Sequence, residues 1–289
     1  MLSIDIGATW IKSGIVLPDG TLKNRASMAT PKDYNAILET LRAIVAASGE
    51  NSAVIAIPGV YDKLKGKVIF TPNIPSMSGH TLAEDLKINI PFLIENDGNM
   101  AALGEYVYGF DTPPDSLVFL TLGTGVGGGI IIDGKLLTGD ITSAELGHIT
   151  LVAEGKLCGC GKRGCVEKYC SYPAMVNYFH EAQGDNAVAL PEEIATLFQK
   201  GDFAAFEAID LFSMYLAHTI ATLINIFVPK TMRIGGGLSE MKEVFISRAK
   251  ELAKDFVYPA YRGYTDIGAA RLKNDAALLG CAEWWRINK

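Results

Sequence analysis

The stretch SLVFLTLGTGVGGGIIIDG, Ser116 to Gly134, decides the fold. An apolar run, Ser116 to Leu122, ends in a glycine cluster, and a second run, Ile130 to Ile132, follows and turns at Asp133-Gly134. Gly123, Gly125 and Gly128 satisfy the dinucleotide pattern GxGxxG, but that fingerprint needs a helix after the glycines, and here a strand and a turn follow. The chain has no GxxxxGK(S/T) either, which excludes a P-loop. What is left is strand, glycine turn, strand. Glycine reaches positive φ and lets backbone N–H groups converge on phosphate oxygens, although any one such loop could equally be a tight hairpin turn.

The amino terminus repeats this pattern weakly. Leu2 to Ile6 and Ser13 to Leu17 read as strands around Asp5-Ile6-Gly7-Ala8-Thr9, and Pro18-Asp19-Gly20 turns the chain toward a third run near Leu22. A third glycine turn, Gly235-Gly236-Gly237, follows the strand Met232 to Ile234. Between these lie helical patterns at Asn35 to Ala47, Asp97 to Tyr108, Ala204 to Val228, Met241 to Phe256 and Ala276 to Trp285, the last with Asp275 as its cap. Strands at Ala53 to Ile57 and Phe92 to Glu95 complete an alternation that predicts an α/β architecture of two similar halves with a cleft between them. Asp111 to Asp115 is the best linker. It divides the chain into a smaller N-terminal α/β domain, 1–112, and a larger C-terminal one, 113–274, with the last helix, about 275–289, a candidate to pack back on the first.

Composition narrows the function classes. The 289 residues suit about two domains, and 49% hydrophobic with 20% charged residues is an ordinary globular balance. A net charge of −6 argues against a general nucleic-acid binder, which needs excess Lys and Arg to displace counterions. Leu117 to Ile132 is broken by glycines and Met214 to Val228 by His218, Thr219, Thr222 and Asn225, so neither reads as a membrane span. Met1 to Asp5 lacks a basic n-region and carries a carboxylate where a signal peptide would be apolar, so cytoplasm is the expected location. There, five cysteines point to thiols or a metal rather than a disulfide frame.

Two segments carry chemistry beyond the glycine turns. Glu95-Asn96-Asp97-Gly98-Asn99 delivers Asn96 and Asp97 to the C-terminal end of a strand, where a carboxylate can take the proton of an attacking hydroxyl. From this segment alone, helix capping is the weightier role for Asp97. Cys158-Gly159-Cys160-Gly161-Lys162-Arg163-Gly164-Cys165 sets three thiols in a tight knuckle, and His148 upstream could complete a tetrahedral Cys3His zinc site. The metal would fix the imidazole, so that Glu145, His148 and Glu167 could face a ligand rich in hydroxyls. Cys170 and Cys281 read as core cysteines.

Together these pieces resemble the ROK family of bacterial sugar kinases and repressors, within the actin-like ATPase (ribonuclease H-like) two-domain fold. The resemblance implies ATP and Mg²⁺ binding through Asp5, Gly7, Ala8, Thr9, Lys12, Gly123, Thr124, Gly125, Gly235, Gly236 and Gly237. It implies Asp97 as general base, sugar contacts at Gly59, Asn96, Asp97, Glu145, His148 and Glu167, and structural zinc on His148, Cys158, Cys160 and Cys165. The expected reaction is hexose phosphorylation, glucose at the 6-hydroxyl first, with N-acetylmannosamine, N-acetylglucosamine, mannose or fructose as alternatives, by a homodimer without nucleic-acid or membrane partners. A sugar-sensing protein without turnover is the competing class. Asp5 lies too near the start for a preceding helix-turn-helix, which favours kinase over repressor. Departures from the family pattern are Ala8, Gly98 and Met77, the last where a tryptophan is common near the substrate lip.

Overall fold

The opening hairpin forms because short β-branched and apolar runs alternate with Gly-containing turns. β1 (Leu2–Ile6) pairs antiparallel with β2 (Trp10–Val16), which pairs antiparallel with β3 (Leu22–Ala29). The computed structural model describes residues 1–184, 190–237 and 242–289. α1 (Tyr34–Ser48) follows, started by Asp33, whose side chain accepts the Ala36 N–H, and ended by Gly49 in the left-handed region. β4 (Ala53–Ile57) is followed by a small hairpin, β5 (Val60–Asp62) and β6 (Lys67–Phe70), then by a single turn of helix, α2 (Leu82–Asp85). β7 (Phe92–Asn96) runs directly into α3 (Asp97–Tyr108).

The second half repeats the opening plan with β8 (Ser116–Leu122), β9 (Val126–Ile132) and β10 (Lys135–Leu136). After an irregular segment come α4 (Glu167–Cys170), α5 (Tyr172–Gln183), α6 (Pro191–Gln199) and α7 (Phe203–Phe227). β11 (Thr231–Gly235), α8 (Lys242–Phe256), β12 (Asp266–Ala269) and α9 (Ala276–Ile287) end the chain. The expected helix start at Met241 lies outside the described residues.

The two five-stranded sheets share one plan. The first runs β3-β2-β1-β4-β7 and the second β10-β9-β8-β11-β12. In each, the first strand carries a hairpin on one side and parallel strands on the other. The weak repeat in the sequence is therefore a repeat of topology.

One compact unit comprises Met1–Pro113, Gly129–Ala144 and Asn274–Lys289, and the other Pro114–Gly128 and Glu145–Lys273. This differs from a single division at 112/113. Gly129–Ala144 returns to the first unit, which makes the two nearly equal in length. The cause is packing: a Cβ on Gly129 would fall 2.5 Å from Ala102 Cβ and 3.1 Å from Asn99 Cα of α3. A sequence-local boundary does not register such a return.

In the first unit Ile4, Ile55 and Ile57 of the sheet meet Ile37 and Leu41 of α1, all fully buried. Truncating such a side chain, as in Leu41→Ala, costs about 2–5 kcal/mol. Met77 joins this core with no exposure, so it is a packing residue rather than part of an exposed lip. α9 lies against α3 through paired glycines: a Cβ on Gly104 would sit 1.9 Å from the Ala276 carbonyl oxygen, and one on Gly280 1.8 Å from that of Met100. Asp275 does not cap α9 with its side chain. It is drawn instead into an ion pair with Arg25.

The second unit is organised on α7, which packs on α5 and α8. α7 has the length and apolarity of a membrane-crossing helix, and 56% of that stretch is buried within the protein, as in a core helix.

Candidate active site

In the first unit, parallel pairing brings three loops to one sheet edge. Asp5 and Glu95 both lie opposite Ala56 of β4, so β1, β4 and β7 end together. With strands about 4.8 Å apart, the loops after β1 and β7 leave the sheet about 10 Å from each other. Ligands of open parallel sheets collect at this edge.

At the end of β7 the capping role that the segment alone favours for Asp97 falls to Asn96. Asn96 has extended backbone, and its side-chain oxygen accepts the Asn99 N–H at 3.0 Å. Asp97 is thereby the first residue of α3, half-buried, with its Oδ1 accepting the Gly98 N–H at 2.8 Å. The Asn96 Nδ2 donates to the Gly59 carbonyl at 3.0 Å. Gly59 sits at φ +80°, where any Cβ would come within 2.3 Å of the Phe70 carbonyl oxygen, so only glycine fits there. Gly59, Asn96 and Asp97 are thus one structural cluster.

Next to it lies a residue that motif reading passes over. Thr71 is fully buried, and its Oγ1 has no hydrogen-bond partner among the described residues. The Thr71 Cα would be 2.8 Å from a Cβ on Gly59. A buried hydroxyl left unpaired costs free energy unless a ligand or water meets it. A lone Thr before a proline gives no sequence signal of that kind.

At the end of β1, Asp5 faces Lys12 across the hairpin. Burial pushes the Asp5 carboxyl above its ordinary range, and Lys12 pulls it partly back. The Gly7 N–H closes the turn on the Trp10 carbonyl at 2.9 Å, and its own carbonyl accepts the Thr30 hydroxyl at 2.7 Å. Ala8 and Thr9 are exposed.

In the second unit the corresponding loops also share an edge, since Gly235 pairs with Thr121. The glycine-rich turn is shorter than its sequence suggests. It spans Gly123 to Gly125, closed by the Gly123 N–H on the Gly125 carbonyl at 3.0 Å, and Val126 onward is strand. Gly128 serves packing, for its Cβ would be 2.3 Å from the Phe119 carbonyl oxygen. The Tyr172 N–H donates to the Gly123 carbonyl at 2.8 Å, and the Tyr172 hydroxyl fills the space beside Gly237.

The thiol knuckle is closed. The Cys158 N–H donates to the Lys162 carbonyl at 2.8 Å and the Gly161 N–H to the Cys158 carbonyl at 3.0 Å. His148, Cys158, Cys160 and Cys165 bring one donor atom each within 4.8 Å of one another. His148 Nδ1 lies 3.7 Å from Cys158 Sγ, and Cys160 Sγ 3.7 Å from Cys165 Sγ. A zinc tetrahedron with Zn–S near 2.3 Å and Zn–N near 2.0 Å has edges of about 3.5–3.8 Å, so these four residues fit structural zinc.

Beside the knuckle, Glu145 Oε1 is buried without a hydrogen-bond partner among the described residues. Burial raises the pKa of this carboxyl. His148 opposes the shift and Glu167 adds to it. Glu167 is already engaged: its Oε2 accepts the Val126 N–H at 3.1 Å, and its Oε1 lies 3.8 Å from Cys158 Sγ. It ties the knuckle to the strand that follows the glycine turn.

This chain is similar over most of its length to known sugar kinases. A glucokinase of Thermotoga maritima is 32% identical over 98% of this chain and 96% of its own length. An N-acetyl-D-glucosamine kinase of Shigella flexneri is 31% identical over 86% of this chain and 87% of its own. The crystal structure of a ROK family glucokinase from Streptomyces griseus, in complex with glucose and AMPPNP, superposes with a TM-score of 0.87 at 30% identity, covering 98% of both chains. The ROK family model matches residues 1–288, and with two sheets of one plan, glycine turns at their carboxyl edges and a Cys3His knuckle, the chain belongs to the ROK family, whose fold is that of the actin-like ATPases.

Proposed function

We propose that this chain catalyses the ATP-dependent phosphorylation of a hexose, with glucose at its 6-hydroxyl as the first candidate. The observation that carries it is the placement of Asp97, at the carboxyl end of a parallel strand, with the helix-capping duty taken over by Asn96. The Asp97 carboxylate takes the proton as the sugar oxygen attacks the γ-phosphorus. A new O–P bond forms, the bond from the γ-phosphorus to the β–γ bridging oxygen breaks, and ADP leaves. Asn96, Glu145, His148 and Glu167 hold sugar hydroxyls, and Gly59 and Thr71 lie beside Asn96. The unpaired Glu145 Oε1 and Thr71 Oγ1 suit this role, because a site with buried unmet acceptors and donors favours the ligand that satisfies them.

Asp5, Gly7, Ala8, Thr9 and Lys12, together with Gly123 to Gly125 and Gly235 to Gly237, form the nucleotide side. Mg²⁺, when bound with the nucleotide, would supply charge neutralisation at the phosphates, and Asp5 is the residue that would hold it. Zinc, when bound by His148, Cys158, Cys160 and Cys165, orients the imidazole and stiffens the knuckle. The similarity to glucokinases supports glucose, and the similarity to an N-acetyl-D-glucosamine kinase keeps N-acetylhexosamines in the test panel. The acidic net charge of −6 argues against nucleic-acid partners. The cytoplasmic homodimer that the family resemblance implies is checked by light scattering for twice the 31.1 kDa chain mass.

The test is a coupled ADP assay with ATP over glucose, mannose, fructose and the two N-acetylhexosamines, scored by kcat/KM, in parent and Asp97→Asn. Sugar-dependent ADP formation that Asp97→Asn lowers by about 1,000-fold or more is expected. Sugar binding without ADP formation in the parent would make the chain a sugar-binding protein instead.

A further inference from the structure

Glu95, two residues before Asp97, is fully buried, and every acceptor position on its carboxylate is occupied. Oε1 accepts the Asn96 backbone N–H at 2.9 Å and the Asn99 Nδ2 at 3.0 Å. Oε2 pairs with the Lys63 ammonium at 2.5 Å and accepts the Thr138 hydroxyl at 3.3 Å. A carboxylate offers about four lone-pair sites, so four donors saturate it. Glu95 therefore has no site left for a substrate proton and does not share the task of Asp97.

The partners of Glu95 are themselves fixed. The Lys63 ammonium donates to Thr138 Oγ1 at 2.9 Å, which closes a triangle of lysine, threonine and glutamate. It also lies 5.1 Å from the centre of the Trp284 ring on α9. Lys63 comes from the turn after β5 and Thr138 from the Gly129–Ala144 segment that returns to the first unit. Such a cluster, with Glu95 fully buried and the Lys63 side chain 24% exposed, is poorly explained by stability. Desolvating a carboxylate and an ammonium commonly costs as much as their attraction returns, and an apolar cluster of similar volume would serve the core as well. What the cluster does achieve is specific: it grips the Asn96 N–H and the Asn99 side chain, the two residues that turn β7 into α3 around Asp97.

We propose that Glu95, Lys63 and Thr138 are positioning residues, a charge-balanced clamp that sets the corner from Asn96 to Asn99 and thereby aims the Asp97 carboxylate at the attacking hydroxyl. The clamp rests on Asp97 being the base. It acts on the geometry of the reacting step and not on affinity.

The experiment compares parent, Lys63→Met, Lys63→Arg and the charge-free pair Lys63→Met with Glu95→Gln, which replaces the single variant should that one fail to fold. In Lys63→Met, or in the pair, kcat is expected to fall about 10–100-fold with KM for sugar and ATP within about 3-fold, since a misplacement near 1 Å has effects of that order. Lys63→Arg, which keeps the charge, is expected to recover most of the loss. A folded charge-free pair with kcat within about 2-fold of the parent, or a loss confined to KM, overturns the clamp. Crystal structures of parent and pair give a second readout independent of turnover: the Asp97 carboxylate is expected to move by about 1 Å, and an unmoved one overturns the proposal. If the parent itself forms no ADP with any sugar, the kinase reading fails, and the positioning of Asp97 is decided by those structures alone.

Discussion

The Asp97 corner and the zinc knuckle are built on opposite principles. At the corner, regular elements do the work: β7 feeds α3, Asn96 caps it, and a saturated buried carboxylate holds the turn from behind. The knuckle has almost no regular structure between the short turn at His148 and α4, and three of its four candidate ligands fall within eight residues. The corner carries its rigidity in hydrogen bonds that form as the chain folds. At the knuckle a metal held by the four candidate ligands would supply the rigidity, because so short an irregular segment buries too little apolar surface to offset its ordering entropy. Side chains at the corner are thus expected to keep their places on metal loss, and those of the knuckle are not.

The largest effect expected is at the corner. Asp97→Asn is expected to lower kcat by about 1,000-fold or more and to leave zinc content and Tm close to the parent's, since Asn96 and not Asp97 caps the helix. A Tm loss as large as that of a buried-core variant would break the comparison by showing Asp97 to be structural.

Metal removal comes second. Chelation, or Cys165→Ser, is expected to weaken sugar binding about 10–100-fold by calorimetry. Backbone amide exchange should quicken through 145–170 while β7 and α3 stay protected. Equal loss of protection at both places would show the two regions to be one cooperative unit.

Asn96→Ala removes the cap and the contact to Gly59. A stability loss of about 1–2 kcal/mol by urea unfolding is expected, with no change in zinc content.

Asp5 gives the smallest and most pH-dependent effect. Its raised carboxyl pKa means that the folded state prefers the protonated form, so ionised Asp5 costs stability. Asp5→Asn is therefore expected to raise Tm in full above that raised value. The gain should vanish as pH falls below the ordinary value of 3.8, where the group is neutral folded and unfolded alike. Turnover should nevertheless fall with the substitution, the usual exchange of stability for function at a site. A Tm lowered at neutral pH would show that partners in the fold more than offset the burial of the carboxylate.

Much of the molecule is legible from residue order. Strand, glycine turn and strand repeated at Leu2 and Ser116 announce two sheets of one plan, and the dinucleotide pattern fails as expected because Val126 begins a strand. The knuckle is legible because its ligands are close in sequence, and thiols interleaved with glycines at that spacing suit a metal better than a core. Asp275 misleads, since a good capping residue is claimed by Arg25, 250 residues away. Gly128 and Gly129 also answer to packing that the pattern does not announce, against Phe119 and α3.

By itself, the order of residues determined the repeat of strand, turn and strand, five of the helices and the chemical types at the two candidate regions, because periodicity, turn residues and short-range ligand spacing act through neighbours along the chain. β5, β6, β12, α5 and α6 had no reading in it. Only the tertiary structure decided that Asn96 rather than Asp97 is the cap, that Thr71 and Glu145 carry unmet polar atoms, and that Lys63 and Thr138 close on Glu95. Those depend on burial and on pairings between segments tens of residues apart, and a buried charge finds its partner by proximity in space, which has no signature in a linear spacing.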